Sequence, residues 1–260
     1  MTFFRKSFPK HEFIGEESVA AADGKIETFT DNPTWIIDPI DGTMNFVHSN
    51  PLVTISVALA INKKIVLGIV SAPCIGKTFT AIKGQGCKLN GQNVKVSECK
   101  ELKLAQCILE VWPDMKETIQ NHNFATIGKN IFFVKLKENF LCFTRILTNF
   151  QEFFAFFLIV KQTHSLRCYG SAALNLAFVA AGYADIYCQV GPHVWDYSAG
   201  AILVKEAGGI VVDPKGETLD LMNRGILVGS SQELINDWLA KVDYQHESHP
   251  RDIDEPLIFQ

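Results

Sequence analysis

Trp35-Ile36-Ile37-Asp38-Pro39-Ile40-Asp41-Gly42-Thr43-Met44-Asn45-Phe46 decides how this 260-residue chain is read. Ile36 and Ile37 lead along a strand, and Asp38 closes it at the C-terminal edge, where α/β proteins commonly hold ligands. Pro39 stiffens the turn and keeps Asp38 out of helical backbone. Three residues on, Asp41 stands beside Gly42-Thr43, where a helix can begin with free backbone N–H groups. Two carboxylates held close repel unless a cation lies between them, and a hard cation such as Mg²⁺ favours oxygen ligands. N–H groups at a helix start, with the Thr43 hydroxyl, suit a phosphate. The stretch suggests a metal-plus-phosphate site. The plainer alternative is a turn and an N-cap, in which Asp41 accepts helix N–H bonds for about 1 kcal/mol.

Two further segments place carboxylates at element ends: Gly15-Glu16-Glu17-Ser18 and Trp195-Asp196-Tyr197-Ser198-Ala199-Gly200. Asp196 alone could be a helix cap, and Glu16 has the weakest local case, because adjacent glutamates are usually solvated. Three such segments in one chain tilt the reading toward a site.

Around these motifs the chain alternates short strands and helices. Residues 35–38, 52–61, 64–72 and 77–82 are rich in Val, Ile, Thr and Phe, as strands are. Asn62-Lys63 and Asn90-Gly91 stand at hairpin turns, and Gly84-Gln85-Gly86 reads as a hairpin corner rather than a phosphate cradle. Further on, 171–181 is a small, apolar helix capped by Ser171 and stopped by Gly182. Strands are expected at 185–190, 210–213 and 225–228, with a helix at 196–207. A last helix, to about 242, starts at a Ser230/Glu233 capping box. Mixed elements without a repeat argue a layered α/β (α+β) domain over 1–243, followed by a loose polar tail, 244–260.

Composition narrows the class. With 47% apolar residues and a net charge of −4, the chain can offset its ordering entropy, which excludes disorder. There is no basic excess for nucleic acid to exploit. The longest apolar run, 153–160, is far short of the ~20 residues a membrane helix requires. Met1 to Lys10 lacks the apolar core of a signal peptide. Seven cysteines without a C-x-x-C pair read as reduced, buried thiols of a cytoplasmic protein. His48, His164 and His193 lack metal-ligand spacing; they read as packing or surface residues, His193 with a substrate-rim role as its alternative. Lys83 reads as solvated.

Taken together, the Asp38–Thr43 core, Asn45-Phe46-Val47-His48, Gly15-Glu16-Glu17-Ser18 and Trp195-Asp196 with Glu206-Ala207-Gly208-Gly209 resemble the inositol monophosphatase family of magnesium-dependent, lithium-sensitive phosphatases. The resemblance implies an α-β-α-β-α sandwich, normally a homodimer, that hydrolyses inositol monophosphate with two to three Mg²⁺ ions. It places Glu16, Asp38 and the Ile40 carbonyl on the first ion, and Asp38, Asp41 and Asp196 on the second. Glu16 also stands near a third, weaker one. It gives phosphate to the Gly42 and Thr43 N–H groups and water orientation to the Thr43 hydroxyl. Gly170, Ser171, Ala172 and Gln189 fall among its substrate contacts, with Asp41 and Asp196.

Four departures from the family pattern stand out. The family has two helices upstream of its Gly-Glu-Glu segment, so the resemblance implies that the first helical layer is missing, together with an acidic loop that pairs with the threonine. Gln189 replaces the usual glutamate; it accepts and donates hydrogen bonds but lacks the charge. Pro113-Asp114 replaces a Gly-Ser-Ser-like stretch that touches substrate. Segment 118–162 is longer than the family needs. Ten of the 19 phenylalanines lie between 124 and 157, and 128–157 reads as retained non-coding sequence foreign to the fold. The alternative is a genuine insertion, since Phe140, Phe143, Leu147 and Phe150 keep helical spacing. These departures leave two other functions open: a catalytically weak paralogue serving as a binding or dimerising subunit, and a phosphatase for another sugar or nucleotide phosphate.

Overall fold

A computed structural model describes residues 2–16, 29–110, 161–242, 252 and 257–260. In it the deciding stretch forms strand β2 (Thr34–Asp41) and a short helix α2 (Thr43–Val47). Strand β1 (Glu12–Gly15) pairs parallel to β2. The remaining strands of this first sheet are β3 (Thr54–Ile61), β4 (Lys64–Ala72), β5 (Lys77–Ile82), β6 (Cys87–Leu89) and β7 (Gln92–Val94), each antiparallel to its neighbour. Tight turns make the meander possible. Asn62 and Lys63 both take positive φ, as do Asn90 and Gly91, which matches the twist of a two-residue hairpin.

The second sheet is built from β8 (Gln106–Leu109), β9 (Ser165–Arg167), β10 (Ile186–Val190), β11 (Ile210–Val212) and β12 (Gly225–Gly229), in the order β11-β12-β10-β8-β9. Between the sheets lie α3 (Ala172–Ala180) and α4 (Val194–Glu206). Every residue of α3 is buried, as expected of a helix covered on both sides. Small residues allow the close approach. A Cβ on Gly200 would stand 2.4 Å from the Leu176 side chain, and one on Gly68 would stand 2.6 Å from the Ala199 carbonyl. On the far side of the second sheet, α5 (Gln232–Lys241) buries Leu234, Ile235 and Trp238 against Ile186, Cys188 and Leu227.

The outer face of the first sheet carries Trp35, Ile37 and Val57, and Phe4 of helix α1 (Thr2–Ser7) packs there with its ring 5.0 Å from that of Trp35. The layers thus run α-β-α-β-α. Among the described residues the first helical layer consists of α1 alone, six residues long.

Some expectations shift. Strand β2 continues through Asp38 to Asp41. Helix α4 begins at Val194 because His193 is its N-cap. Ser231, not Ser230, caps α5; the Ser230 hydroxyl donates to the Cys99 carbonyl. Gly84 and Gly86 do form a corner, and their N–H groups hold the Glu206 carboxylate. Cys87, Cys107 and Cys188 are buried, but Cys74 and Cys168 are exposed. The tail is not loose at its described residues. Leu257 is fully buried, and 257–259 run antiparallel to 219–221. Glu17, Ser18, Pro113, Asp114, Cys142 and the 128–157 interval lie outside the described residues.

Candidate active site

A regular strand points residues i and i+3 to opposite faces, so Asp38 and Asp41 would diverge. The register of β2 on β3 prevents this. Asp38 pairs with Ser56 and Asp41 with Thr54, so three steps on β2 match two on β3 across a bulge at Pro39-Ile40. Both carboxylates therefore face the helices between the sheets. Both are buried, Asp38 at 2% exposure and Asp41 at 7%. Asp38 Oδ1 accepts the Ile40 N–H at 2.9 Å, which tightens the bulge.

Asp41 does not cap its own helix. Its Oδ2 accepts the Thr54 hydroxyl (2.9 Å), the Ser171 hydroxyl and the Ala173 N–H (2.9 Å), and its Oδ1 takes the Ala172 N–H at 3.3 Å. It thus sits on the N-terminus of α3, whose partial positive charge favours an anion. Burial still pushes its carboxyl above the ordinary aspartate range, against the pull of those donors.

Glu16 and Asp196 complete the group. Gly15 pairs with Ile37 in parallel register, so Glu16, the next residue, emerges beside Asp38. It is exposed. Asp196 is the third residue of α4, and its Oδ2 accepts the His193 N–H at 2.7 Å. Burial pushes its carboxyl well above the ordinary range. Asp41, Asp38 and Glu16 add to the rise by repulsion, while the His193 N–H opposes it. None of the influences on Asp41 or Asp196 is a positive side chain.

Gly42 takes φ +86°, and a Cβ there would lie 3.1 Å from both the Gly170 and Leu52 carbonyls. The Gly42-Thr43 turn thus abuts Gly170-Ser171. Asn45 fastens the two, its amide donating to the Leu52 and Tyr169 carbonyls at 2.8 and 2.7 Å. The Thr43 hydroxyl donates to the Ile40 carbonyl at 3.3 Å. Gln189 lies on β10, where the Tyr187 hydroxyl, itself within electrostatic reach of Glu110, Asp41 and Asp196, donates to its Oε1.

Glu110 is a residue that sequence reasoning missed. One oxygen accepts the Tyr169 and Gly170 N–H groups at 2.9 Å and the Asn175 amide at 2.8 Å, which shapes the 169–171 turn. Burial raises its pKa, partly offset by those donors. The one available signal was a carboxylate directly after an apolar strand.

Four carboxylates crowded together fit a hard divalent cation, which would relieve the repulsion that Asp41, Asp38 and Glu16 exert on Asp196. Among the described residues, no three metal-type side chains are already gathered at ligating distance. An ion would have to draw the carboxylates together.

The chain matches the inositol monophosphatase family over residues 2–247. This chain belongs to the inositol monophosphatase family. It is 38% identical over 231 residues to inositol monophosphatase 1 of Homo sapiens, covering 88% of this chain and 72% of that one. It is 41% identical over 225 residues to inositol monophosphatase 2 of Solanum lycopersicum, covering 85% and 73%. Among solved structures, the inositol monophosphatase of Anabaena (Nostoc) sp. PCC 7120 superposes with a TM-score of 0.73 at 30% identity, covering 92% of this chain and 80% of that one. A staphylococcal inositol monophosphatase II with inositol monophosphate bound gives 0.69 at 26%, covering 94% and 79%. The chain is a phosphatase of this family, with the family's layered fold. Among its described residues no helix is long and apolar enough to cross a membrane.

Proposed function

We propose that the chain hydrolyses inositol monophosphate to inositol and phosphate, with Mg²⁺, at the Glu16–Asp38–Asp41–Asp196 cluster. The convergence of Glu16, Asp38 and Asp41 from the first sheet on Asp196 of α4, close enough for each to act on its carboxyl, carries this reading. Two to three Mg²⁺ ions on Glu16, Asp38, the Ile40 carbonyl, Asp41 and Asp196 would supply a water of lowered pKa and a counter-charge for the leaving oxygen. The Gly42 and Thr43 N–H groups hold the phosphate, and the Thr43 hydroxyl orients the attacking water. Asp41, fixed by four hydrogen bonds, keeps its place while charge develops beside it. Gly170, Ser171, Ala172 and Gln189 face the alcohol part of the ester. The reading extends to a lithium-sensitive, cytoplasmic homodimer.

A nucleoside monophosphate is the second reading. The staphylococcal relative was also solved with 2′-AMP bound, at a TM-score of 0.69 and 27% identity. Gln189, being neutral, presents no charge to repel such a substrate.

Phosphate release from inositol 1-phosphate and from 2′-AMP, with and without Mg²⁺, tests both readings. Release from inositol 1-phosphate should require Mg²⁺ and fall on the order of a hundredfold or more in Asp38→Asn. A full rate in Asp38→Asn at saturating Mg²⁺, or undiminished release in chelator, overturns the site. Faster release from 2′-AMP transfers the assignment to nucleotides.

A further inference from the structure

Asp196 owes its position to the first turn of α4, and that turn is tied to a residue more than fifty positions further along the chain. Asp252 Oδ2 accepts the Val194 N–H at 2.7 Å, one of the N–H groups a helix start leaves without an internal partner. Its Oδ1 lies 2.6 Å from His193 Nδ1. The other imidazole nitrogen, Nε2, lies 3.1 Å from an Arg224 guanidinium nitrogen. Arginine only donates, so Nε2 accepts, Nδ1 carries the proton, and Asp252 receives it. The same Arg224 nitrogen donates to the Gly191 carbonyl at 2.6 Å, while its Nε stands 3.9 Å from Asp252. The His193 ring lies flat on Trp195, centroids 4.5 Å apart and planes within 8°.

These contacts converge on one backbone group. The His193 N–H is the donor that holds Asp196 Oδ2, and Asp252 fixes His193 by its ring and Val194 by its backbone. Asp252 is itself anchored, because its N–H donates to the Met222 carbonyl at 3.1 Å. Beyond it, Leu257 is buried and its N–H donates to Asp220.

We propose that Asp252 is a positioning residue for the metal site: it locks His193 in the Nδ1–H form and caps α4, and so sets where the Asp196 carboxylate stands. The inference rests on the metal-site reading above. Asp252 touches neither substrate nor ion; it acts through His193 and Val194, in the way that outer hydrogen-bond partners of metal ligands set affinity.

The test is Mn²⁺ binding to the metal-free full-length protein, followed by electron paramagnetic resonance of the free ion well below the melting temperature. The variants are Asp252→Ala, Asp252→Asn and Asp196→Asn. Asp252→Ala should weaken binding about tenfold or more. Asp252→Asn keeps one acceptor and near-native volume, so it should lie between wild type and alanine. Long-range ¹H–¹⁵N spectra of the metal-free protein should show His193 as the Nδ1–H tautomer, and Asp252→Ala should lose that single form. Wild-type affinity in both folded Asp252 variants, with binding lost in Asp196→Asn, overturns the positioning role alone. An Nε2–H tautomer in wild type also overturns it. Unchanged binding in Asp196→Asn overturns the metal site, and the proposal with it.

Discussion

Asp41 and Asp196 are carboxyls whose protons the folded protein retains more tightly than the unfolded chain does. Burial is the main cause for both, and for Asp196 the neighbouring carboxylates add to it. The sign follows from linkage. An acid with a raised folded pKa costs stability as pH rises from its ordinary value, 3.8 for aspartate, through the folded value, because the unfolded state releases its proton first. A cation at the cluster displaces those protons and removes the cost. The stabilisation that Mg²⁺ adds should therefore be larger at pH 8 than at pH 5, as read from urea midpoints in chelator and in saturating Mg²⁺. Equal increments at the two pH values would contradict the buried-carboxylate account. At this scale the chemistry was legible where it lies in contiguous residues: Asp38, Asp41, Gly42 and Asp196 announce themselves through Pro39, Thr43 and Trp195. Glu110 and Asp252 do not, because the groups their carboxylates hydrogen-bond lie 58 to 65 positions away. A single acidic residue in such a setting looks like any other.

Helix α4 is the element on which the site depends, and it is placed by what it lacks. Gly200 lets Leu176 of α3 approach, and Gly68 of β4 lets Ala199 and Ile202 sit directly on the sheet. Gly200→Ala would put a methyl into space already held by Leu176. Overpacking of this kind costs about 1–3 kcal/mol, and a urea midpoint lowered by that loss divided by the unfolding slope is the expected result. A variant as stable as wild type would show that α3 and α4 are less tightly apposed. The helices themselves were readable. Ser171 and Gly182 bracket α3, and the Ser171 hydroxyl accepts the Leu174 N–H as a cap should. Their contact was not, since a glycine within a helical pattern does not say which neighbour fills its space. The start of α4 was misplaced for a related reason. Asp196 looks like a cap in sequence but is the third residue of α4, its carboxylate reaching back to the N–H of the actual N-cap, His193, which is not a usual cap.

At the level of the whole molecule, the alternation of strands and helices gave the layered class, while the division into two sheets stayed hidden. β5 and β10 are both short strand-forming runs, and nothing local assigns them to different sheets. The way β8 joins β9 bears on the phenylalanine-rich interval. The two strands are parallel neighbours, Gln106 opposite Ser165, so the chain between them must cross over, which takes a dozen or more residues. Removing 128–157 would leave about twenty-five, enough for the crossover. The residues that tie this region to the site, Glu110 on one side and Tyr169, Gly170 and Asn175 on the other, lie outside the deleted interval. We therefore expect the deletion to fold, to bind Mn²⁺ with wild-type affinity and to give more soluble protein, because an aromatic-rich segment foreign to the evolved fold would invite association. Soluble yield, circular dichroism and Mn²⁺ binding, measured side by side with the full chain, check this. A deletion protein that unfolds, or that folds but loses Mn²⁺, would mean that the interval belongs to the fold and that helical spacing at Phe140, Phe143, Leu147 and Phe150 reflects a real element.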